Sequence, residues 1–239
     1  MTKTICAFTL LAGLAAAVPA SAQAPATGSK TSVSVSVGGL LQEHTFTTAN
    51  EFGPIFDETA SFVASHKIDQ GVLFDFGAAR ATGWRDLWVA VSVSTFSKSS
   101  NAGIVATIPD RVFFNRPATA TTSADNLKHT EVGVNISALW MLRVTSRIDV
   151  ALFGGPSFIH LNQELVTGFD PNANPISATV VNQTATAKGG NAGVDLSYRL
   201  TNMYSAGFFI RYAGGTAHLE STPLKVGGGQ VGVGIRVRF

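Results

Sequence analysis

Toward its carboxyl end the chain alternates apolar and polar positions with a period of two. Val231, Val233, Ile235, Val237 and Phe239 fall on one face of the closing segment, and Gln230, Gly232, Gly234, Arg236 and Arg238 on the other. Successive side chains of a strand point to opposite faces of a sheet, so this period predicts a β-strand rather than a helix. The same pattern recurs upstream. Tyr204, Ala206, Phe208, Ile210 and Tyr212 oppose Ser205, Gly207, Phe209 and Arg211, and Ala192, Val194, Leu196, Tyr198 and Leu200 oppose Gly193, Asp195, Ser197 and Arg199. Ile148, Val150 and Leu152 oppose Asp149, Ala151 and Phe153, in a strand running to about Leu161; Gly154-Gly155-Pro156 predicts a bulge or bend within it. Val132, Val134, Ile136, Ala138, Trp140 and Leu142 share a further face, and so do Leu87, Val89, Val91 and Val93. Ile68, Val72, Phe74 and Phe76 are expected together against Asp69, Gly71, Leu73, Asp75 and Gly77, and Val33, Val35, Val37 and Leu41 against Ser32, Ser34, Ser36 and Gln42.

These segments predict eight strands, each near the length that crosses a bilayer with tilt. Short links near 81–85, 144–147 and 201–203 alternate with long ones near 47–63, 98–128, 162–188 and 215–225. An even number of strands, with short turns on one rim and long loops on the other, is the arrangement of a transmembrane barrel with its short turns and both termini on the periplasmic side. The expected fold is therefore all-β: an eight-stranded antiparallel up-and-down barrel with lipid outside and a polar lumen.

Composition narrows this picture. Charged residues make up only 13% of the chain, against 45% hydrophobic residues and 24 glycines; a soluble domain carries about 25% charged residues. After residue 22 no apolar run approaches the roughly 20 residues of a membrane helix, and only a closed barrel otherwise satisfies every backbone group in lipid. A net charge of +2 without a basic stripe gives no reason to expect a nucleic-acid partner. Residues 1–22 read as a cleaved secretory signal, with Lys3, an apolar run from Ile5 to Val18, and Ala20-Ser21-Ala22 before the cut. The one cysteine, Cys6, lies in this segment, so the expected mature chain has no disulfide, thiolate metal site or cysteine nucleophile. Residues 23–31 read as a periplasmic lead-in and 32–239 as the barrel.

The Leu152-Phe153-Gly154-Gly155-Pro156-Ser157-Phe158 segment and the closing strand ending on Phe239, behind an export signal, resemble the small bacterial outer-membrane β-barrels, the OmpA-, OmpX- and OmpW-like proteins. The resemblance covers essentially all of residues 32–239. It implies the outer membrane as location and membrane lipid as surroundings. It also implies that Val231, Val233, Ile235, Val237 and Phe239 form the signal read by the barrel-insertion machinery. It specifies the fold well and the activity poorly.

Parity places Asp69, Asp75, Glu131, Asp149 and Asp195 in the lumen with Arg143, Arg199, Arg211, Arg236 and Arg238. Charges in so narrow an interior must be paired, and eight strands leave a bore that side chains fill. The expected lumen is a polar plug; a gated pore for small solutes is the alternative. Trp84, Trp140, Tyr198 and Tyr204, with Phe239, map to the short-turn rim as an interfacial girdle. Parity turns His44 and His129 inward and His66, His160 and His218 outward, with no spacing of a shared metal site. No catalytic, cofactor or metal residue is expected, and the chain is expected to act as a monomer in a structural or interaction role. A lipid A-modifying enzyme and a soluble lipocalin-like barrel are the remaining readings. An extracellular ligand would be met by the long loops, where Phe52, Ile55, Phe56 and Ile108–Pro117 stand out; those aromatics are expected to fold back on the rim.

Overall fold

The computed structural model describes residues 30–239 except 56–57, 85, 111, 113–115, 171–176 and 220–221. The expected signal segment 1–22 and most of the expected lead-in 23–31 lie outside the described residues, as do Phe56, Phe113 and Phe114. The described chain is all-β. Its strands are β1 (Thr31–Leu40), β2 (His44–Ile55), β3 (Glu58–Ile68), β4 (Gly71–Ala81), β5 (Leu87–Ile108), β6 (Ala118–Arg143), β7 (Ile148–Asp170), β8 (Ser177–Arg199), β9 (Tyr204–Leu219) and β10 (Thr222–Arg238).

Eight of these strands close a ring. β1 pairs with β4 and with β10, β5 joins β4 to β6, and β6 through β10 pair in sequence. The closing strand sets Val233 opposite Val37 and Ile235 opposite Val35. β2 and β3 form a hairpin between β1 and β4, and β3 pairs with the distal part of β5 from Ser61–Thr107 to Lys67–Asn101. Near the short turns, Val33, Val35, Val89, Val91, Val134, Leu196, Phe208 and Ile235 point outward and are exposed, while Ser36, Asp75, Asn135, Asp149 and Arg236 point inward and are buried. Apolar outside and polar inside means that this half is solvated by lipid. The belt takes about 9–11 residues of each strand, as tilted transmembrane strands require.

The strands do not stop at the belt. β5 to β8 run for 22, 26, 23 and 23 residues, so more than ten residues of each stand above the lipid. There the polarity inverts. On β5 the inward series passes from Ala90, Ser92 and Ser94 to Phe96, Ala102, Ile104 and Ala106, and the outward series from Val89, Val91 and Val93 to Ser97, Ser99 and Asn101. Water now lies outside, and the interior is apolar. Phe62, Ala64, Ala102, Ile104, Leu127 and Val166 form one buried cluster; Ile159, Leu161, Leu165, Ala187, Leu219 and Leu224 form another.

This extension corrects the expected long loops. The stretches 47–63, 98–128, 162–188 and 215–225 are largely strand. Their inward positions include many alanines with scattered large residues, and their outward positions many Ser and Thr with Val63 and Val105 among them, a composition that reads as loop until the strands are paired. A second correction concerns face. Ile68 and His66 point inward and are buried, and Asp69 is exposed, 3.0 Å from Lys67 outside the barrel. The break at Asp69-Gln70 between β3 and β4 resets the alternation, so parity read through it from Val72 puts all three on the wrong side. Past Gly155, by contrast, β7 keeps its parity: Ser157, Ile159 and Leu161 are buried, and Phe158 and His160 are exposed.

Candidate functional site

Charges fill the belt lumen in layers. Nearest the short turns, Asp149 on β7 accepts hydrogen bonds from Arg199 Nε at 3.2 Å and Nη2 at 3.0 Å on neighbouring β8, and from Arg238 Nη1 on β10 at 2.5 Å. Arg143 lies 4.0 Å from the same carboxylate, but its side chain is 73% exposed; it belongs to the rim more than to the lumen. One layer up, Arg236 on β10 donates to Asp195 on β8. To do so its guanidinium crosses β9 at Gly207, where a Cβ would stand 1.8 Å from Arg236 Nη1 and would displace the guanidinium from this path.

Above these, Arg211 on β9 reaches across the bore to Asp75 on β4 at 2.7 Å, and its other nitrogens donate to Gln230 Oε1 at 2.8 Å and Ser92 Oγ at 3.2 Å. Both members of this pair are buried. Such a pair persists because each charge has a partner and the guanidinium's remaining protons are also used. Below the pair lies a cavity of about 110 Å3 bordered by Ser34, Trp88, Met141, Phe153 and Arg238. Beyond the pair, Leu40, Ile68, Leu73 and Phe96 pack as a buried apolar cluster, to which Phe209 adds from the cavity side, beneath the Arg211 guanidinium. A hydroxyl–amide cluster lines the wall beside it: Ser137 donates to Asn191 Oδ1 at 2.7 Å, Ser157 to Asn135 Oδ1 at 2.6 Å, and Asn191 Nδ2 to Ser157 Oγ at 3.0 Å.

Just above the belt, His129 lies between Gln163 Oε1 at 2.5 Å and Glu131 Oε1 at 3.0 Å. Gln163 is fixed as an acceptor there, because its Nε2 donates to the Glu164 carbonyl at 2.8 Å. The other Glu131 oxygen accepts from the Gly227 amide at 3.0 Å, and the Gly227 carbonyl accepts from His44 Nε2 at 2.6 Å. This peptide bridges a seam in the wall. Among the described residues β2 pairs only with β3, and residues 222–228 of β10 only with β9. Gly227, with φ of 77°, adopts the conformation that presents both its groups.

His66 stacks on Phe46 with ring centroids 4.6 Å apart, and its Nε2 lies 3.3 Å from Thr48 Oγ1. Its Nδ1 is buried without a partner, and burial pushes the imidazole down to about 4. The histidines do not converge; among the described residues no cluster of His, Cys, Asp or Glu could hold a metal. Trp84, Trp140, Tyr198 and Phe239 are exposed at the short-turn rim, and Tyr204 is half-buried there opposite Val237. Phe52 packs on Phe62 at 6.0 Å.

Sequence parity groups the acids and arginines but leaves out Gln230, Ser92, the hydroxyl–amide cluster and the Gly227 bridge. Gln230 was legible in part: it faces Arg211 across the β9–β10 hairpin, a register that counting back from the turn yields. The bridge joins strands distant in sequence and carries no such signal.

No protein-family model and no curated protein matches the chain. Its fold is similar to that of the outer-membrane protein OprG from Pseudomonas aeruginosa, at 9% identity over 88% of this chain and 97% of that one, with a TM-score of 0.46. Neisserial surface protein A matches at 17% identity over 87% and 97%, with a TM-score of 0.39. Ail of Yersinia pestis, in complex with the heparin analogue sucrose octasulfate, matches at 12% over 88% and 99%, with a TM-score of 0.38. At these values the likeness reaches no site residue. The closed ring, the apolar outward belt and the ion-paired interior give this chain the architecture of a membrane-spanning β-barrel.

Proposed function

We propose that the chain is a non-conducting, monomeric barrel whose role is structural and interactive, exercised by the part that stands above the membrane. What supports this reading is the filling of the bore by the Arg211–Asp75 pair with Gln230 and by the buried cluster of Leu40, Ile68, Leu73 and Phe96. An ion crossing the bore would have to break a buried pair and then enter an apolar cluster, each at a cost of several kcal/mol. In this reading the belt anchors, the charge layers hold the strands in register, and the long β5–β8 extensions present a water-facing surface to extracellular ligands. Insertion proceeds through the closing strand, Val231 to Phe239. No residue is assigned a catalytic role, and lipid A mass spectra should be unchanged on overexpression.

Planar-bilayer recording of the purified protein tests the central claim. No discrete conductance steps are expected, from the native protein or from a variant with its charge layers intact. Sustained single-channel steps would replace this reading with the gated pore.

A further inference from the structure

We infer that the outer wall of β8–β10, at the upper edge of the belt, carries a binding site for the phosphorylated head group of an outer-leaflet glycolipid. Lys188 on β8, Thr216 on β9 and Lys225 on β10 are direct cross-strand partners, and all three are exposed on the outward face. The lysines flank one threonine, about 10 Å apart at the backbone from two interstrand spacings, close enough for both ammonium groups to meet on one phosphate. Among the described residues neither lysine has a carboxylate partner, whereas Lys67, on the outer face of β3, is paired with Glu43 and Asp69.

The wall beneath is shaped to receive a polar group. The next row down is Gly190, Gly214 and Gly227, and the row below that Ala192, Tyr212 and Gly229. Tyr212 lies over Gly214: a Cβ on Gly214 would stand 3.1 Å from the Tyr212 hydroxyl. The phenol thus rises from the belt toward Thr216 and Lys225. On the Lys225 side of this row a depression of about 180 Å3 opens, bordered by Gln42, His44, Tyr212, Thr216, Lys225 and the backbone of Gly214, Gly215 and Gly227.

Position decides the occupant. The site continues the lipid-facing surface of Ile210, Tyr212 and Phe158 without a break, so whatever fills it has its apolar part in the bilayer. Two cations with hydroxyl donors at that depth match a phosphate on a lipid. The inference rests on the membrane placement of the belt and is independent of whether the lumen conducts.

The test is native mass spectrometry of the folded barrel in neutral detergent, titrated with diphosphorylated lipid A, dephosphorylated lipid A or inorganic phosphate. The first should bind one copy. Binding should fall about tenfold for the Lys188→Gln/Lys225→Gln pair, and comparably on dephosphorylation, since each surface cation contributes modestly and two act together. Retained folding is read from the mobility of unheated samples in gel electrophoresis, and insertion from recovery with vesicles. Equal retention of phosphorylated and dephosphorylated lipid, or binding unaffected in the double variant, would overturn the site. Inorganic phosphate bound as tightly as the lipid would overturn the lipid as its source. Failure of insertion would instead overturn the membrane placement.

Discussion

Single residues in this barrel are set by what lies on the other side of the wall. His66 is the sharpest instance. Its ring is buried against Phe46, and one nitrogen has no partner, so the charged form is disfavoured and the imidazole titrates near 4 rather than 6.5. Above pH 6.5 the ring is neutral whether folded or unfolded, and the full stability is present. Between 6.5 and 4 the unfolded chain takes up a proton that the folded one refuses, so stability falls as pH falls, then levels below about 4. The span corresponds to a loss on the order of 3 kcal/mol at roughly 1.4 kcal/mol per pH unit. Guanidinium unfolding midpoints of the native protein and of His66→Phe, compared from pH 7 to 4, check this. The gap between the two should close or reverse toward acid, and parallel curves would contradict it.

Strands rather than loops are the units that carry this molecule above the lipid. Their alternation continues while its polarity inverts, and two local devices keep the correct face inward. One is the break between β3 and β4 that turns Asp69 outward. The other is the bulge in β6, where two residues, Asp125 and Asn126, oppose Asn101 of β5, with Asn126 at φ of 60°. Without that extra residue the upper part of β6 would turn Ala124 out and Asp125 in. Asparagine tolerates the left-handed conformation and a β-branched residue does not. Asn126→Gly should leave stability within about 0.5 kcal/mol, and Asn126→Val should cost about 1–2 kcal/mol. Thermal unfolding of the two variants distinguishes them, and equal midpoints would show that the bulge is not held by this conformation.

The whole molecule is one β-wall in two solvents. Below the inversion it is an inside-out protein in lipid; above it, an ordinary one with its apolar clusters inside. The boundary is directly testable, because the one cysteine of the sequence, Cys6, lies outside the barrel strands. Cysteine placed at Val63 or Val105, exposed on the outer face above the belt, should react with an impermeant thiol reagent on intact cells. Cysteine at Val134 or Ile235, equally exposed but within the belt, should not. Labelling of all four would move the lipid boundary, and labelling of none would remove the upper barrel from the cell surface.

The sequence by itself determined the strand period, the even ring and the grouping of acids with arginines. These follow from the two-residue repeat and from the absence of any other way to satisfy a backbone in lipid. Alternation says that two faces differ, however, not which one is inside. Only the tertiary structure decided that Phe62 and Ile104, above the belt, face in, while Val33 and Ile235 within it keep the outward face expected of them. It alone paired Asp75 with Arg211 across the bore and hung the β2–β10 seam on the Gly227 peptide. Those contacts join strands distant in the chain, and their geometry is fixed by ring closure rather than by any local pattern.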